Sequence, residues 1–257
     1  QITATDLAQS QSSLAGAQAR YIEAQNNIVT SKLNYENIIG PISDQENLKK
    51  IYKSNEVIPS NLNEAKEISK KKSPELIIAE IEFGQSELDV KIARSDLSPT
   101  AKLSLERTYT DDLSATYDHR EKDVLQATVS WPFQFGGKNK SKVNKNLQVK
   151  GMKRLLLENA HRNNTQLVTA AWSTLQSSKS FLRAVQTQVK ASEIANEGIS
   201  YEYESGLNRS TFDVLQSRSN LINAKINLAE AERNYLLAQY KLLKSVGLLN
   251  SNYLKLK

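Results

Sequence analysis

TFDVLQSRSNL, residues 211–221, restates TATDLAQSQSSL, residues 3–14, about two hundred residues further along the chain. With Asp6 laid over Asp213 and no gap opened, Gln9 meets Gln216, Ser10 meets Ser217, Ser12 meets Ser219 and Leu14 meets Leu221. The register holds through Ala17/Ala224, Ala24/Ala231 and Asn27/Asn234 to Gly40/Gly247. Shared helical composition supplies scattered matches, but one register held from an acid to a glycine marks an internal repeat. Each copy carries a seven-residue apolar stripe: Leu7, Leu14, Tyr21, Ile28, Tyr35 in the first, and Val214, Leu221, Leu228, Tyr235, Leu242 in the second. Beside the second runs a stripe of small residues, Ala224, Ala231, Ala238, Ser245. A seven-residue period keeps a seam facing a neighbouring helix and imposes a left-handed supercoil. Several parallel stripes predict that each helix has more than one neighbour.

Outward from the repeat the pattern changes. After Gly40 the stretch PISDQENLKKIYKSNEVIP is irregular, with prolines at 41 and 59. Ser60 reads as the N-cap of a short helix that ends in Lys70-Lys71-Lys72, cations suited to a helix C-terminus. Ser73-Pro74-Glu75 opens a second helix, which should stop before Ser98-Pro99. From Lys138 to Glu204 no proline interrupts a helical pattern worth roughly 100 Å of helix, locally weakened by Gly151 and Gly198. A helix of that length predicts an elongated bundle.

Between these helices lies the strand-like part. Ala101, Leu103, Leu105 and Tyr109 share one face of TAKLSLERTY, and Lys102, Ser104, Glu106 and Thr108 the other. Leu125, Ala127, Val129, Trp131 and Phe133 alternate with polar residues in LQATVSWPFQF. Two strands of about ten residues, joined by the charged linker TDDLSATYDHREKDV, fit a hairpin of a transmembrane β-barrel. Tyr109, Trp131 and Phe133 would then be interfacial aromatics. A soluble hairpin with one buried face explains the alternation equally well, and Arg107 falls on the apolar face unless the alternation slips there.

Composition removes other classes. The chain of 257 residues has no cysteine, which excludes disulfides, thiolate metal sites and cysteine nucleophiles. His119 and His161 form no metal-binding pattern, and no phosphate loop or nucleophile–base pair occurs, so neither enzymatic activity nor a metal or other cofactor is expected. The net charge is a mild +6, and no apolar run approaches 18 residues. The chain opens on a polar helical pattern without a signal peptide, so either it is cytosolic or an earlier part is missing. The run KNKSKVNKNLQVKGMKR, residues 138–154, holds seven cations and no acid. Without stacking aromatics it does not read as a nucleic-acid site; it is either a solvated helix start or a contact for anionic headgroups below the hairpin. In YEYESGLNRSTFDVLQ, Gly206 marks a turn that gathers Tyr203, Arg209 and Asp213, with Asp6 at the equivalent start of the first copy. An acid near a helix N-terminus is explained by the dipole alone; Arg209 and Tyr203 beside it are not.

Together, TDLAQSQSSLAGAQARY, SPELIIAEIEF with LSPTAKLSLE, VSWPFQFGGK and YESGLNRSTFDVLQSRSNLINAK resemble, in order, the TolC family of outer-membrane efflux and secretion ducts. The resemblance implies a mainly α protein of long antiparallel coiled-coil helices forming an α-barrel tunnel, with a transmembrane β-barrel hairpin and a small mixed equatorial region. On that pattern, residues 1–40, 73–98, 138–204 and 212–248 are tunnel helices and 41–72 and 249–257 are equatorial. Residues 99–137 form the barrel hairpin and 205–211 the periplasmic tip turn. The chain resembles the later part of a protomer. The implied function is the channel component of a tripartite efflux pump or type I secretion system, in the bacterial outer membrane and extending into the periplasm. Its implied partners are two further copies in a homotrimer, a periplasmic adaptor (membrane fusion) protein, an inner-membrane pump or ABC translocase, and outer-membrane lipid; nucleic acid is not among them. Carried over by position, Thr5 and Asp6 match one side of the gate, and Tyr203, Arg209 and Asp213 the other, with Arg209 paired to Asp6 and Asp213 facing the pore entrance as an acidic ring. Gln216 stands where some members have a second aspartate, and Gly206 to Asp213 is one residue longer than the commonest spacing. The alternative is a soluble periplasmic coiled-coil adaptor or scaffold, which accounts for the heptads but not for the alternating hairpin.

Overall fold

Among the described residues these patterns give α1 (Ala4–Ile38), α2 (Leu62–Lys72), α3 (Pro74–Ser95), β1 (Thr100–Ser114), β2 (Tyr117–Ser130), α4 (Lys138–Glu204) and α5 (Thr211–Val246). The structure, a computed structural model, describes residues 4–41, 58–114, 117–131, 137–207 and 209–250; residues 6, 112–114, 117 and 118 contribute backbone only. Among the described residues no helix is long and apolar enough to cross a membrane. The elements fall into two units. One holds α1, α4 from Ala170 and α5 to Leu243; the other runs from Pro59 to Thr169 and takes in Lys244–Asn250.

In the first unit the repeat is visible as structure. Ala4 and Thr211 are equivalent by sequence, and each begins its helix. Gly40 and Gly247, also equivalent, both have left-handed backbone, φ 121° and 79°, the conformation in which glycine ends a helix without a β-carbon clash. Burial separates the copies. On α5 the stripe Ser217, Ala224, Ala231, Ala238 is almost wholly buried, with Ser217 Oγ donating to Asn196 Oδ1 of α4 at 3.1 Å. On α1 the equivalent Ala17, Ala24 and Ser31 are exposed, as are Leu7, Leu14, Tyr21 and Ile28 of its apolar stripe. The face of α4 turned inward is itself heptadic: Leu175 and Val189 are buried at a spacing of two heptads, with Asn196 one heptad further. Gly151 and Gly198 leave α4 unbroken, since a single glycine costs only about 1 kcal/mol in a helix held by packing.

The second unit has its core where α2, α3 and the end of α5 meet α4. Leu76, Val168 and Val246 are fully buried there, and Asn164 of α4 donates through Nδ2 to Ser69 Oγ of α2 at 2.9 Å. The cap of α2 sits one residue later than the sequence suggests. Asn61, not Ser60, caps it, its Oδ1 accepting from the Glu64 N–H at 2.8 Å. Ser60 instead donates its N–H and hydroxyl to the Glu64 carboxylate at 2.7 and 2.5 Å, and these bonds hold that carboxyl below the usual range. α3 has Pro74 in its first turn, after Ser73, and Glu75 beside it.

β1 and β2 form a two-stranded antiparallel sheet. The strands are longer than the apolar alternation predicts, because pairing continues from Leu105↔Leu125 through Arg107↔Asp123 to Asp111↔His119, with one irregularity before Ser114↔Tyr117. Ladder hydrogen bonds need no apolar side chains, and opposite charges across the strands support the charged half.

Candidate functional site

The tip between α4 and α5 is closed by two caps of different kinds. At the end of α4 the Leu207 N–H reaches Glu202 O at 2.9 Å and the Gly206 N–H reaches Tyr203 O at 3.1 Å. With Gly206 at φ 71° this is a Schellman cap. At the start of α5 Ser210 and Asp213 form a capping box. The Ser210 N–H and Oγ lie 2.9 and 3.0 Å from Asp213 Oδ2, and the Asp213 N–H donates to Ser210 Oγ at 3.2 Å. These bonds to Ser210, and then the charge of Arg209, hold the Asp213 carboxyl below its ordinary range.

Arg209 lies between the caps. Its Nε donates to Glu202 Oε2 at 2.6 Å, and that carboxylate raises the guanidinium pKa further above its ordinary value. α4 ends without a basic residue in its last turn, so Arg209 supplies from the turn the cation that the negative end of the helix and its two last-turn acids call for. The Tyr203 hydroxyl lies 3.2 Å from Thr211 Oγ1. Tyr203, Arg209 and Asp213 therefore come together as the sequence suggests, with Glu202 and Ser210 as partners that it did not single out. Both could have been found from S-x-x-D before an apolar run and from the uncompensated acids at the end of α4. Thr5 is exposed in the first turns of α1, and Asp6 lies beside it in the same helix; the Asp6 side chain is outside the described residues, so its expected pairing with Arg209 is too.

Two grooves adjoin the tip. One of about 410 Å³ runs between α4 and α5 from Arg209 and Asp213 to Asn220. The other, about 730 Å³, lies between α1 and α5 and is walled by Leu14, Tyr21, Phe212, Leu215 and Ile222, with Arg20 Nη1 donating to Asn223 Oδ1 at 3.2 Å. Among the described residues no group of His, Asp and Glu side chains is arranged to hold a metal ion.

The second candidate region is the hairpin. Ala101↔Val129, Leu103↔Ala127 and Leu105↔Leu125 stack as three cross-strand rows on one face, followed by Arg107↔Asp123 and Tyr109↔Glu121. No slip occurs at Arg107, which stays on the apolar face and is neutralised there by Glu121 at 2.9 Å and Asp123 at 3.5 Å. Leu103, Leu105, Leu125 and Val129 are each more than 70 % exposed. Tyr109, stacked on His119 at 5.9 Å, and Trp131 are exposed at opposite ends of that face; Phe133 lies outside the described residues. Trp131, the residue after β2, lies ten residues beyond Glu121, the register partner of Tyr109, a path of roughly 34 Å if extended that a tilt of about 40° reduces to about 26 Å.

The basic run at the start of α4 is matched in part by acids that precede the hairpin. Lys142 pairs with Asp96 at 2.6 Å, Lys150 with Glu87 at 2.7 Å and Lys153 with Glu82 at 2.8 Å. Asn139 and Asn146 donate to the carbonyls of Asp96 and Asp89. Glu82 and Glu87 of α3, with Asp96 that caps its end, thus form an antiparallel ladder with α4, and Lys150 holds the Glu87 carboxyl below its ordinary range.

A family model described as outer membrane efflux protein matches residues 67–248. The chain is 23% identical to the outer membrane efflux protein BepC of Brucella suis over 257 residues, 99% of this chain and 55% of that protein. It is 33% identical to the outer membrane protein TolC of Escherichia coli over 94 residues, 37% of this chain and 19% of that one. The structure of the open state of the Neisseria gonorrhoeae MtrE outer membrane channel superposes with a TM-score of 0.75 at 16% identity, over 96% of this chain and 57% of that chain. The long helices with one strand hairpin are therefore the fold of such channels, and the chain spans about half the length of the first of these relatives.

Proposed function

This chain belongs to the outer membrane efflux protein family, and from that footing we propose that it is part of the wall of a passive exit duct across the periplasm and outer membrane. One observation carries the reading. The same chain holds a heptad-repeated helix pair and a hairpin whose open aliphatic face is bounded by Tyr109 and Trp131 at about the spacing of a barrel's aromatic girdles. The hairpin supplies two strands of a barrel completed by other strands, because unpaired edges are not tolerated in lipid. Its aliphatic rows face the hydrocarbon, and the Arg107–Glu121–Asp123 cluster sits toward the outer interface. Residues 1–40, 73–98, 138–204 and 212–248 line a tunnel. Residues 41–72 and 249–257 form its equatorial region, 99–137 the barrel segment and 205–211 the periplasmic tip.

BepC is named an efflux protein and MtrE an outer membrane channel, which supports export as the role, within a tripartite efflux or type I secretion assembly. The complete duct is a homotrimer that meets a periplasmic adaptor at the tip and, through it, an inner-membrane pump or ABC translocase. The periplasmic entrance is gated by Thr5 and Asp6 against Tyr203, Arg209 and Asp213. Arg209, held by Glu202 in its own hairpin, is the group that changes partner between states. The chain contributes no enzymatic step.

The test is reconstitution of the full-length protein. A duct requires detergent for solubility and gives discrete conductance steps in a planar bilayer. A protein that stays monodisperse without detergent and never conducts would be the soluble coiled-coil adaptor or scaffold instead, a reading that leaves four aliphatic residues of one hairpin face uncovered in water.

A further inference from the structure

The ladder between α3 and α4 divides the basic run at the start of α4 into two groups. Lys150 and Lys153 are paired to acids of α3 and Lys142 to Asp96 at its end, and Arg154 is paired to Glu158 one turn on at 3.3 Å. Lys138, Lys140 and Lys145 are exposed and meet no acid among the described residues. They occupy the first two turns of α4, which carries no acidic residue in its first turn. Cations there work against the helix dipole, so nothing in the fold of α4 accounts for them. A cleft of about 610 Å³ connects that helix start to the base of the hairpin, lined by Asp96, Ser98, Thr100, Ser130, Trp131 and Asn139. Asp96, the acid in this cleft, is already matched by Lys142.

We propose that Lys138, Lys140 and Lys145, together with Trp131, form a collar that binds anionic phospholipid headgroups of the leaflet on the helix side of the hairpin. This rests on the reading of the hairpin as membrane-spanning. Trp131 sets the level of the interface, since indole rings settle where hydrocarbon meets headgroups. The lysines begin seven residues beyond it and extend roughly 10 Å along α4, about one Debye length at physiological salt. The occupant is a diffuse negative surface rather than one bound anion, because Lys138 and Lys145 share a side of α4 while Lys140 projects from the other side of a helix of 3.6 residues per turn. The Ser98 and Ser130 hydroxyls of the cleft suit the glycerol and phosphate oxygens of a headgroup seated beside Trp131.

The test uses the full-length protein in neutral detergent micelles doped with phosphatidylglycerol or, as the uncharged comparison, phosphatidylcholine, with the melting temperature as readout. Phosphatidylglycerol should stabilise the protein at far lower doping than phosphatidylcholine. Each lysine near an anionic surface strengthens association roughly fivefold. The variant K138Q/K140Q/K145Q should therefore need on the order of a hundred times more phosphatidylglycerol for the same rise. The variant K179Q/R183Q/K190Q, three exposed cations further along the same helix, should behave as the parent does. Equal stabilisation by the two lipids, or an unshifted response in K138Q/K140Q/K145Q, overturns the collar. A protein that is soluble without detergent overturns instead the membrane reading on which the collar rests.

Discussion

Arg209 and Glu202 form a 2.6 Å ion pair that closes the tip within a single helical hairpin, so the gate proposed for Arg209 must first compete with a contact the chain makes with itself. Glu202→Gln frees the guanidinium for a partner elsewhere, whereas Arg209→Ala removes it. The two substitutions should therefore act in opposite directions on the closed duct. Arg209→Ala raises the leak conductance in planar bilayers, and Glu202→Gln leaves it at or below the parent value. A parent-like leak from Arg209→Ala would remove Arg209 from the gate.

The capping box gives the tip a defined response to acid. Folding depresses the Asp213 carboxyl, chiefly through the two bonds from Ser210. The stability it contributes is therefore complete above the ordinary carboxylate range and is lost as pH falls through the lowered value. Ser210→Ala removes the hydroxyl from both sides of the box, costs about 1 kcal/mol of helix capping, and should shift the onset of acid loosening upward. Hydrogen exchange at the amides of residues 211–214, followed against pH in parent and variant, reads this directly.

Gly247 and Gly40 are equivalent by sequence but not in what surrounds them. A β-carbon on Gly247 would stand 2.2 Å from the carbonyl oxygen of Lys72, whereas one on Gly40 would meet nothing within 4 Å. Both positions have positive φ, so alanine costs about 1–2 kcal/mol at either from the backbone alone. Gly247→Ala should lower the melting temperature well beyond Gly40→Ala, because the α2–α3 joint must move as well. Equal losses would mean that the joint yields freely.

Ser69→Ala strands the buried amide of Asn164 and should cost about 1–3 kcal/mol. Adding Asn164→Leu should recover most of that, since removing both partners leaves nothing unsatisfied. Chemical denaturation of the two single variants and the double variant measures the coupling. Additive losses would show that the bond does not link α2 to α4.

The helices and hairpin were legible because their signals are periodic: the seven-residue stripes of Leu7 and Val214, and the two-residue alternation from Ala101. The turn was legible at Gly206, where a left-handed residue is needed. What stayed hidden depended on three-dimensional neighbours. Lys142, Lys150 and Lys153 look unpaired in sequence because their acids, Asp96, Glu87 and Glu82, lie before the hairpin, on α3 and at its end. Asn61 and Ser60 are both good caps, and only the backbone at the start of α2 decides between them. Glu202 was not singled out as a partner of Arg209, because the two lie seven residues apart and meet only once the turn is folded. The strands were read short because the polar and charged residues from Asp111 to Asp123 carry no apolar alternation, which ladder bonds do not require.

The seam of Ser217, Ala224, Ala231 and Ala238 carries no side chain larger than a hydroxymethyl group. Large knobs lock two helices at one offset. A row of near-identical small residues looks almost the same after a shift of one heptad. Along this stretch two polar pairings mark the offset between α4 and α5, Ser217 with Asn196 and Lys225 with Glu193 at 3.1 Å, while large buried apolar side chains on α5 come only at Leu242, Leu243 and Val246. From Ser217 to Ala238 the seam is built like a vernier, with polar graduation marks, and the large side chains beyond it act as the stop.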